Sequence, residues 1–344
     1  MNSMKLKKII KNNEIKNFDF SNKELKDLDF SNLKLTNVLF ENSKLEKCNF
    51  DNTILNSCSF KNAELKKCRF RKAKFAWTDL RYAEIESTTF EDSRINYCDF
   101  YRTVFSKTII FRKSRIANTS FYYTQFNDGV TIKKDNLVNS KIVQEHKEKY
   151  KIFLTQWAKN GPGLRKNDQD TISDWNIKKS LNARWPDAED IYKNLNGLWT
   201  SNGNLSDANW AFVKGKKMER KRLIKEIKNK ETDFSAKIKK SLTAGWNFTK
   251  DVLFGYGESI KKMMLTYIIT VFLFAYIYYA SQSISITDYT LALKISLKNM
   301  VAISSEETLK ASPFLDFLNM VQTTIGILIT GIFGFILGNK IRNQ

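Results

Sequence analysis

From Phe20 to Phe105 every fifth residue is bulky and apolar, beginning Phe20, Leu25, Phe30, Leu35, Phe40, Leu45. The series slips by one residue and resumes at Phe111, Ile116, Phe121 and Phe126. This period matches neither the ~3.6-residue turn of a helix nor the two-residue alternation of a strand. It fits a chain that turns a corner every five residues and stacks on itself as a solenoid. Two residues before the bulky positions stand small ones, such as Ser43, Cys48, Thr53, Cys58 and Ala63. Both series are expected to point inward, with one large and one small side chain on each face.

The stretches Asn62-Ala63-Glu64-Leu65 and Tyr82-Ala83-Glu84-Ile85 resemble the A(D/N)LXX unit of the pentapeptide-repeat family. That resemblance implies a right-handed quadrilateral β-helix over residues 17–130, after an N-terminal segment 1–16. About 5.5 coils at the ~4.8 Å strand spacing would make a rod about 26 Å long. All four cysteines, Cys48, Cys58, Cys68 and Cys98, fall in the small-residue series. No CxxC pair or adjacent histidine accompanies them, so they read as small buried hydrophobes rather than a metal site or disulfides.

The 344 residues carry 57 Lys+Arg against 36 Asp+Glu, a net of +21, and one histidine, His146. Residues 131–262 hold most of the excess, with 28 basic residues against 16 acidic ones. A single histidine leaves no pair for a metal or a relay. No glycine-rich phosphate loop and no nucleophile elbow is present, so neither enzyme chemistry nor a cofactor is expected. The polar N-terminus lacks the pattern of a signal peptide, which predicts a cytosolic N-terminal region.

Two uncharged apolar stretches predict membrane spans at about 263–285 and 317–338, each long enough for a ~30 Å hydrocarbon core. Lys261 and Lys262 precede the first, and Lys340 and Arg342 follow the second, while the loop 288–316 has three lysines against four acids. The positive-inside rule then puts both termini in the cytoplasm. Gly326, Gly331, Gly334 and Gly338 lie along the second stretch. Small residues spaced by four let helices approach closely, which suggests self-association of this span.

The layout of span, ~29-residue loop with a helical stretch near Tyr289–Ile303, and second span resembles the two-transmembrane, potassium-channel-like pore family. The resemblance implies a pore-type loop in residues 263–344 and four chains around one pore. Ser304, Ser305, Glu306 and Glu307 stand where a filter would lie, but the TVGYG signature is missing. Gly255-Tyr256-Gly257 precedes the first span and is on the wrong side for a filter. Lys294 and Lys298 form an i,i+4 pair on the loop helix. They belong either to a helix on the outer surface, in water, or to the ion path, since intramembrane lysines are costly and usually functional.

Residues 131–262 read as a basic, cytosolic helical domain, with an amphipathic helix over Asp187–Trp199 and Asp207 as N-cap of a helix from Ala208 to Lys230. The stretch from Glu189 to Leu223 resembles the helical hairpin that joins pentapeptide rods to two-span pores in bacterial proteins, some of which act in anti-phage defence. Lys214, Lys217, Arg220, Lys221, Arg222 and Lys225 are among nine basic residues in Lys214–Lys230. Such a run is either a solvated or lipid-facing surface or a site for an anionic nucleotide or DNA oligomer. Tyr192, Trp199, Trp210 and Phe212 either stack on bases or pack a core.

The whole predicts a multi-domain chain: β-helix, α-helical linker, and two transmembrane α-helices with a pore-type loop. Its expected role is a ligand-regulated, tetrameric channel of the bacterial inner membrane. A partner protein encoded alongside is a further expectation. The alternative is a non-conducting, membrane-anchored scaffold whose rod recruits a protein.

Overall fold

The computed structural model describes residues 3–160, 174–229, 232–281, 288–303 and 313–342. The chain divides into two compact units, Met1–Arg222 and Leu223–Gln344. The boundary drawn from composition at 130/131 thus lies inside the first unit.

After helix α1 (Ser3–Ile9), the first unit is a β-solenoid of about six turns. One stack of parallel strands comprises Glu14–Lys16, Lys34–Thr36, Ile54–Asn56, Lys74–Ala76, Arg94–Asn96 and Arg115–Ala117 (β1, β3, β5, β7, β9, β11). The other comprises Glu24–Lys26, Lys44–Glu46, Glu64–Lys66, Glu84–Glu86, Val104–Ser106 and Gln125–Phe126 (β2, β4, β6, β8, β10, β12). Single parallel bridges, such as Asp19↔Leu39 and Asp29↔Asn49, join successive turns between the two stacks.

Each three-residue strand buries only its middle residue, the bulky member of the five-residue series. The small series is buried as well, including Ser43, Thr53, Ala63 and all four cysteines. Burial pushes the thiols of Cys58 and Cys98 up to about 12, which suppresses their thiolates. Phenylalanines one turn apart stack, with ring centroids 4.7 Å apart for Phe30–Phe50 and Phe40–Phe60.

A third sequence position explains the corner. One residue per pentapeptide has positive φ, including Asn22, Asn32, Asn42, Asn52 and Asn62. Asparagine tolerates this left-handed conformation better than other non-glycine residues. The one-residue slip is absorbed outward. Strand partners are 20 residues apart up to Val104↔Glu84 and 21 apart at Val104↔Gln125, and Lys107 and Thr108 of the intervening segment are exposed.

Both ends of the solenoid are covered. Leu6 of α1 joins the core at the start. At the far end the Asn136 amide donates to Phe111 O (2.8 Å) and Ser114 O (2.9 Å). Helices α2 (Lys147–Asn160), α3 (Asp174–Ser201) and α4 (Leu205–Ile227) follow. The Trp199 indole donates to Ile132 O at 2.6 Å, and the Asn202 amide to Val130 O at 2.9 Å.

Helix α4 starts at Leu205, earlier than expected. Asn204 caps it, its Oδ1 accepting from Asp207 N at 3.4 Å. The Asp207 carboxylate instead accepts from Lys134 N at 2.9 Å.

Asp187 of α3 is buried, with the Tyr150 hydroxyl of α2 donating to it at 3.4 Å. Burial pushes its carboxyl up to about 7, against the hydrogen bonds of Tyr122 and Tyr150 that hold it down. The folded unit therefore holds this proton more tightly than the unfolded chain. The stability it contributes is complete below about pH 4 and is lost as pH rises through about 7. Asp187→Asn is expected to flatten the pH dependence of unfolding across that window by about 1–4 kcal/mol. Urea titrations of residues 1–222 at several pH values check this; an unchanged slope would refute it.

Candidate functional site

In the second unit, α5 (Phe234–Thr249) leads through a five-residue π-turn, Lys250–Phe254, to the turn Gly255–Gly257. Gly255 (φ 55°), Tyr256 (φ 59°) and Gly257 (φ 83°) all have left-handed backbone, so the chain reverses sharply here. Helix α6 (Ile260–Ala280) begins at a serine cap, the Ser259 hydroxyl accepting from Lys262 N at 3.3 Å. The Lys262 ammonium, in the first turn of α6, pairs with Asp251 Oδ1 of the π-turn at 2.7 Å.

Helices α6 and α8 (Pro313–Arg342) are long and apolar enough to cross a membrane, α8 through Gly338. Helix α7 (Tyr289–Met300) packs between them. Its buried residues, Ala292, Ile295, Ser296, Asn299 and Met300, form one face at helical spacing. The Ser296 hydroxyl donates to Val271 O, midway along α6, at 2.8 Å.

A polar network ties the three helices together. The Tyr278 hydroxyl donates to Gln322 Oε1 at 2.7 Å, and Gln322 Nε2 donates to Ser296 Oγ at 2.6 Å. Asn299 Nδ2 donates to Tyr278 Oη at 3.1 Å and to Asn319 Oδ1 at 2.9 Å. In apolar surroundings an unmade hydrogen bond is expensive, so a satisfied network fixes one register for α7.

Gly326 supplies the close approach on which this depends. A Cβ there would stand 2.5 Å from Met300 O and 2.8 Å from Met300 Cα. Gly331, Gly334 and Gly338 have open space around them and are exposed in the single chain.

Lys294 lies on the exposed side of α7 and Lys298 is half-buried. Helix α7 packs along both apolar helices. Ser304, Ser305, Glu306 and Glu307 lie outside the described residues.

The basic helix is less open than its charge suggests. The Lys214 ammonium sits 3.0 Å from Glu145 Oε2, and Arg222 Nε 2.7 Å from Glu189 Oε2. Lys221 is exposed and lies 4.4 Å from the centroid of the Trp185 ring, which Arg184 also faces at 3.8 Å. Partial desolvation of its ammonium group nevertheless lowers the pKa of Lys221. Lys217 and Arg220 are half-buried and Lys225 is exposed. Tyr192 and Trp199 are sealed in the first unit's core, so bases cannot stack on them. Trp210 packs against that core and Phe212 is exposed.

Residues 34–71 match the family model for pentapeptide repeats, in eight copies. The solenoid is built of pentapeptide repeats. Solved structures similar to this pentapeptide-repeat segment include one of a pentapeptide repeat protein from the Arabidopsis thaliana thylakoid lumen. It is 22% identical, covers 31% of this chain and 70% of that one, and has a TM-score of 0.22. HetL, a pentapeptide repeat protein involved in heterocyst differentiation regulation from Nostoc sp. strain PCC 7120, is 15% identical. It covers 34% of this chain and 59% of its own, with a TM-score of 0.21. Rfr23 from Cyanothece 51142 is 11% identical, covering 36% of this chain and 95% of its own, with a TM-score of 0.17. No curated protein matches the chain in sequence.

The candidate sites described above lie outside the pentapeptide-repeat segment. Sequence reasoning missed the polar network. Its signal was present: Tyr278 and Gln322 place hydrogen-bonding groups within largely apolar helices, and Ser296 and Asn299 share one helical face.

Proposed function

We propose that the chain is a ligand-regulated ion channel of a bacterial inner membrane. In this reading α6 and α8 cross the bilayer, both termini are cytoplasmic, and four chains surround one pore. The pentapeptide-repeat solenoid, right-handed and quadrilateral, is its cytosolic rod. The observation that carries the reading is α7, a short helix held between two apolar helices by amide and hydroxyl groups. A plain membrane anchor has no need of such a helix. A pore does, because α7 and the residues after it would re-enter the bilayer and line the path.

Purified protein in planar bilayers is expected to conduct. With Glu306 and Glu307 at the mouth, reversal potentials in a salt gradient should show cation preference. Anion preference would instead assign selectivity to Lys294 and Lys298, and absence of conductance would favour the anchored scaffold.

The regulator is proposed to be an anionic nucleotide or DNA oligomer bound at the basic helix, and the setting an anti-phage defence system with a partner protein encoded alongside. Replacing Lys217, Arg220 and Lys221 by Gln should weaken binding of a short oligonucleotide by about tenfold at low salt, because phosphate contacts release counterions. Filter binding at two salt concentrations tests this. Unchanged binding, or binding to anionic vesicles alone, would remove the nucleotide ligand.

A further inference from the structure

Helix α5 exposes an apolar face. Phe234 is 76% exposed, Ile238 48%, Leu242 71% and Trp246 60%. These residues recur every fourth position, so at ~100° per residue they span an arc of about 120°. Lys237 and Lys239 stand just beyond its two edges. The opposite side faces protein: Ala244 and Asn247 are buried, and the Asn247 side chain accepts from the Tyr256 hydroxyl. Lys240 pairs with Glu226 at 2.9 Å, and Lys250 Nζ lies 5.2 Å from the Trp246 ring centroid. The helix has three lysines and no acid.

We propose that α5 lies flat in the cytoplasmic headgroup layer of an anionic bilayer, with its apolar face against the acyl chains. The proposal rests on the reading of α6 and α8 as membrane spans. An apolar face bordered by lysines, with a tryptophan on it, suits this boundary: the face enters the acyl region by ~5–10 Å and the ammonium groups reach lipid phosphates. The sharp turn at residues 255–257 and the Lys262–Asp251 pair join α5 directly to the first span, so the lipid surface is continuous with it. At ~1.5 Å per residue, its 16 residues would lie along ~24 Å of that surface. Burial against the same face of a second copy is disfavoured, because the lysine rows bordering the two faces would meet with like charge.

The test uses the full chain in phosphatidylcholine–phosphatidylglycerol vesicles, with an environment-sensitive fluorophore on L242C, T243C or F272C. The native cysteines are buried, which leaves the introduced thiol as the reactive one. Lipids carrying a quencher near the headgroup should quench the L242C label at least about twofold more than the T243C label, which is exposed but lies ~100° around the helix, outside the apolar face. Aqueous iodide should show the reverse order. Phe272, exposed on α6, reports the span, and quenchers deep in the acyl chain should reach its label. Equal iodide quenching of L242C and T243C would overturn the proposal. So would an L242C label shielded from both lipid and water, the result expected if another protein surface covers the face. An F272C label that lipid cannot quench would overturn the membrane reading and this proposal together. A quenched F272C with an unquenched L242C would sink only the role of α5.

Discussion

Leu55→Lys is expected to prevent folding of the first unit. Leu55 is fully buried, in register between Leu35 and Phe75 on the neighbouring turns. Among the described residues of the solenoid the buried acid Asp79 is already paired with Arg81 at 2.7 Å, and Leu55 itself has no exposure to water. Burying an unpaired charge costs several kcal/mol, a large share of the ~5–15 kcal/mol that stabilises a domain. Ile54→Lys, one residue earlier, is the control: Ile54 is 38% exposed, and its replacement should change stability by less than about 0.5 kcal/mol. Thermal melts of residues 1–222 by circular dichroism compare the two. A cooperative melt of the Leu55 variant at the parent temperature would refute the inward assignment.

Gly326→Leu should have the second-largest effect, in the other unit. Even a methyl group at this position meets the Met300 backbone, which cannot rotate away as a side chain does. Helix α7 must then move off α8, straining the contacts of Asn299 and Gln322. Overpacking of this kind costs about 1–3 kcal/mol, and the displaced hydrogen bonds add to it. The expected result is a lower melting temperature in detergent and faster proteolysis between α6 and α8. Gly334→Leu meets open space and should leave the single chain's fold intact. If that variant loses the oligomer on native gels while melting normally, the exposed glycines serve contacts between copies. Equal behaviour of the two variants would argue against the Met300 contact.

These contrasts mark what the sequence could convey. The five-residue period is a local rule repeated many times, so both inward series were legible. Apolar length revealed α6 and α8, but not their ends: α6 starts at Ile260 because Ser259 caps it, and α8 starts at Pro313. The basic helix shows the opposite limit. Its charges are plain in the sequence, yet Lys214 pairs with Glu145, 69 residues away, and no local pattern announces such a partner. Helix α5 was passed over because three lysines among its apolar residues hide its amphipathic face from any average of hydropathy. The register of α7 depends on single hydroxyl and amide groups, which become decisive only when three distant segments meet.

The outward bulge at Lys107 and Thr108 has a consequence for how this protein changes over generations. Rings on either side of the insertion still stack, with centroids 5.0 Å apart for Phe90–Phe111 and Phe100–Phe121. The column of layers therefore tolerates a stray residue at a corner, and each layer meets only its neighbours. Excising one full layer, such as residues 41–60, would rejoin like with like and shorten the column by ~4.8 Å. Duplicating a layer would lengthen it by the same step. Both end caps would keep their own seats. Reach in this family of folds is thus a quantity heredity can adjust in whole increments, like a ruler cut or extended at its graduations.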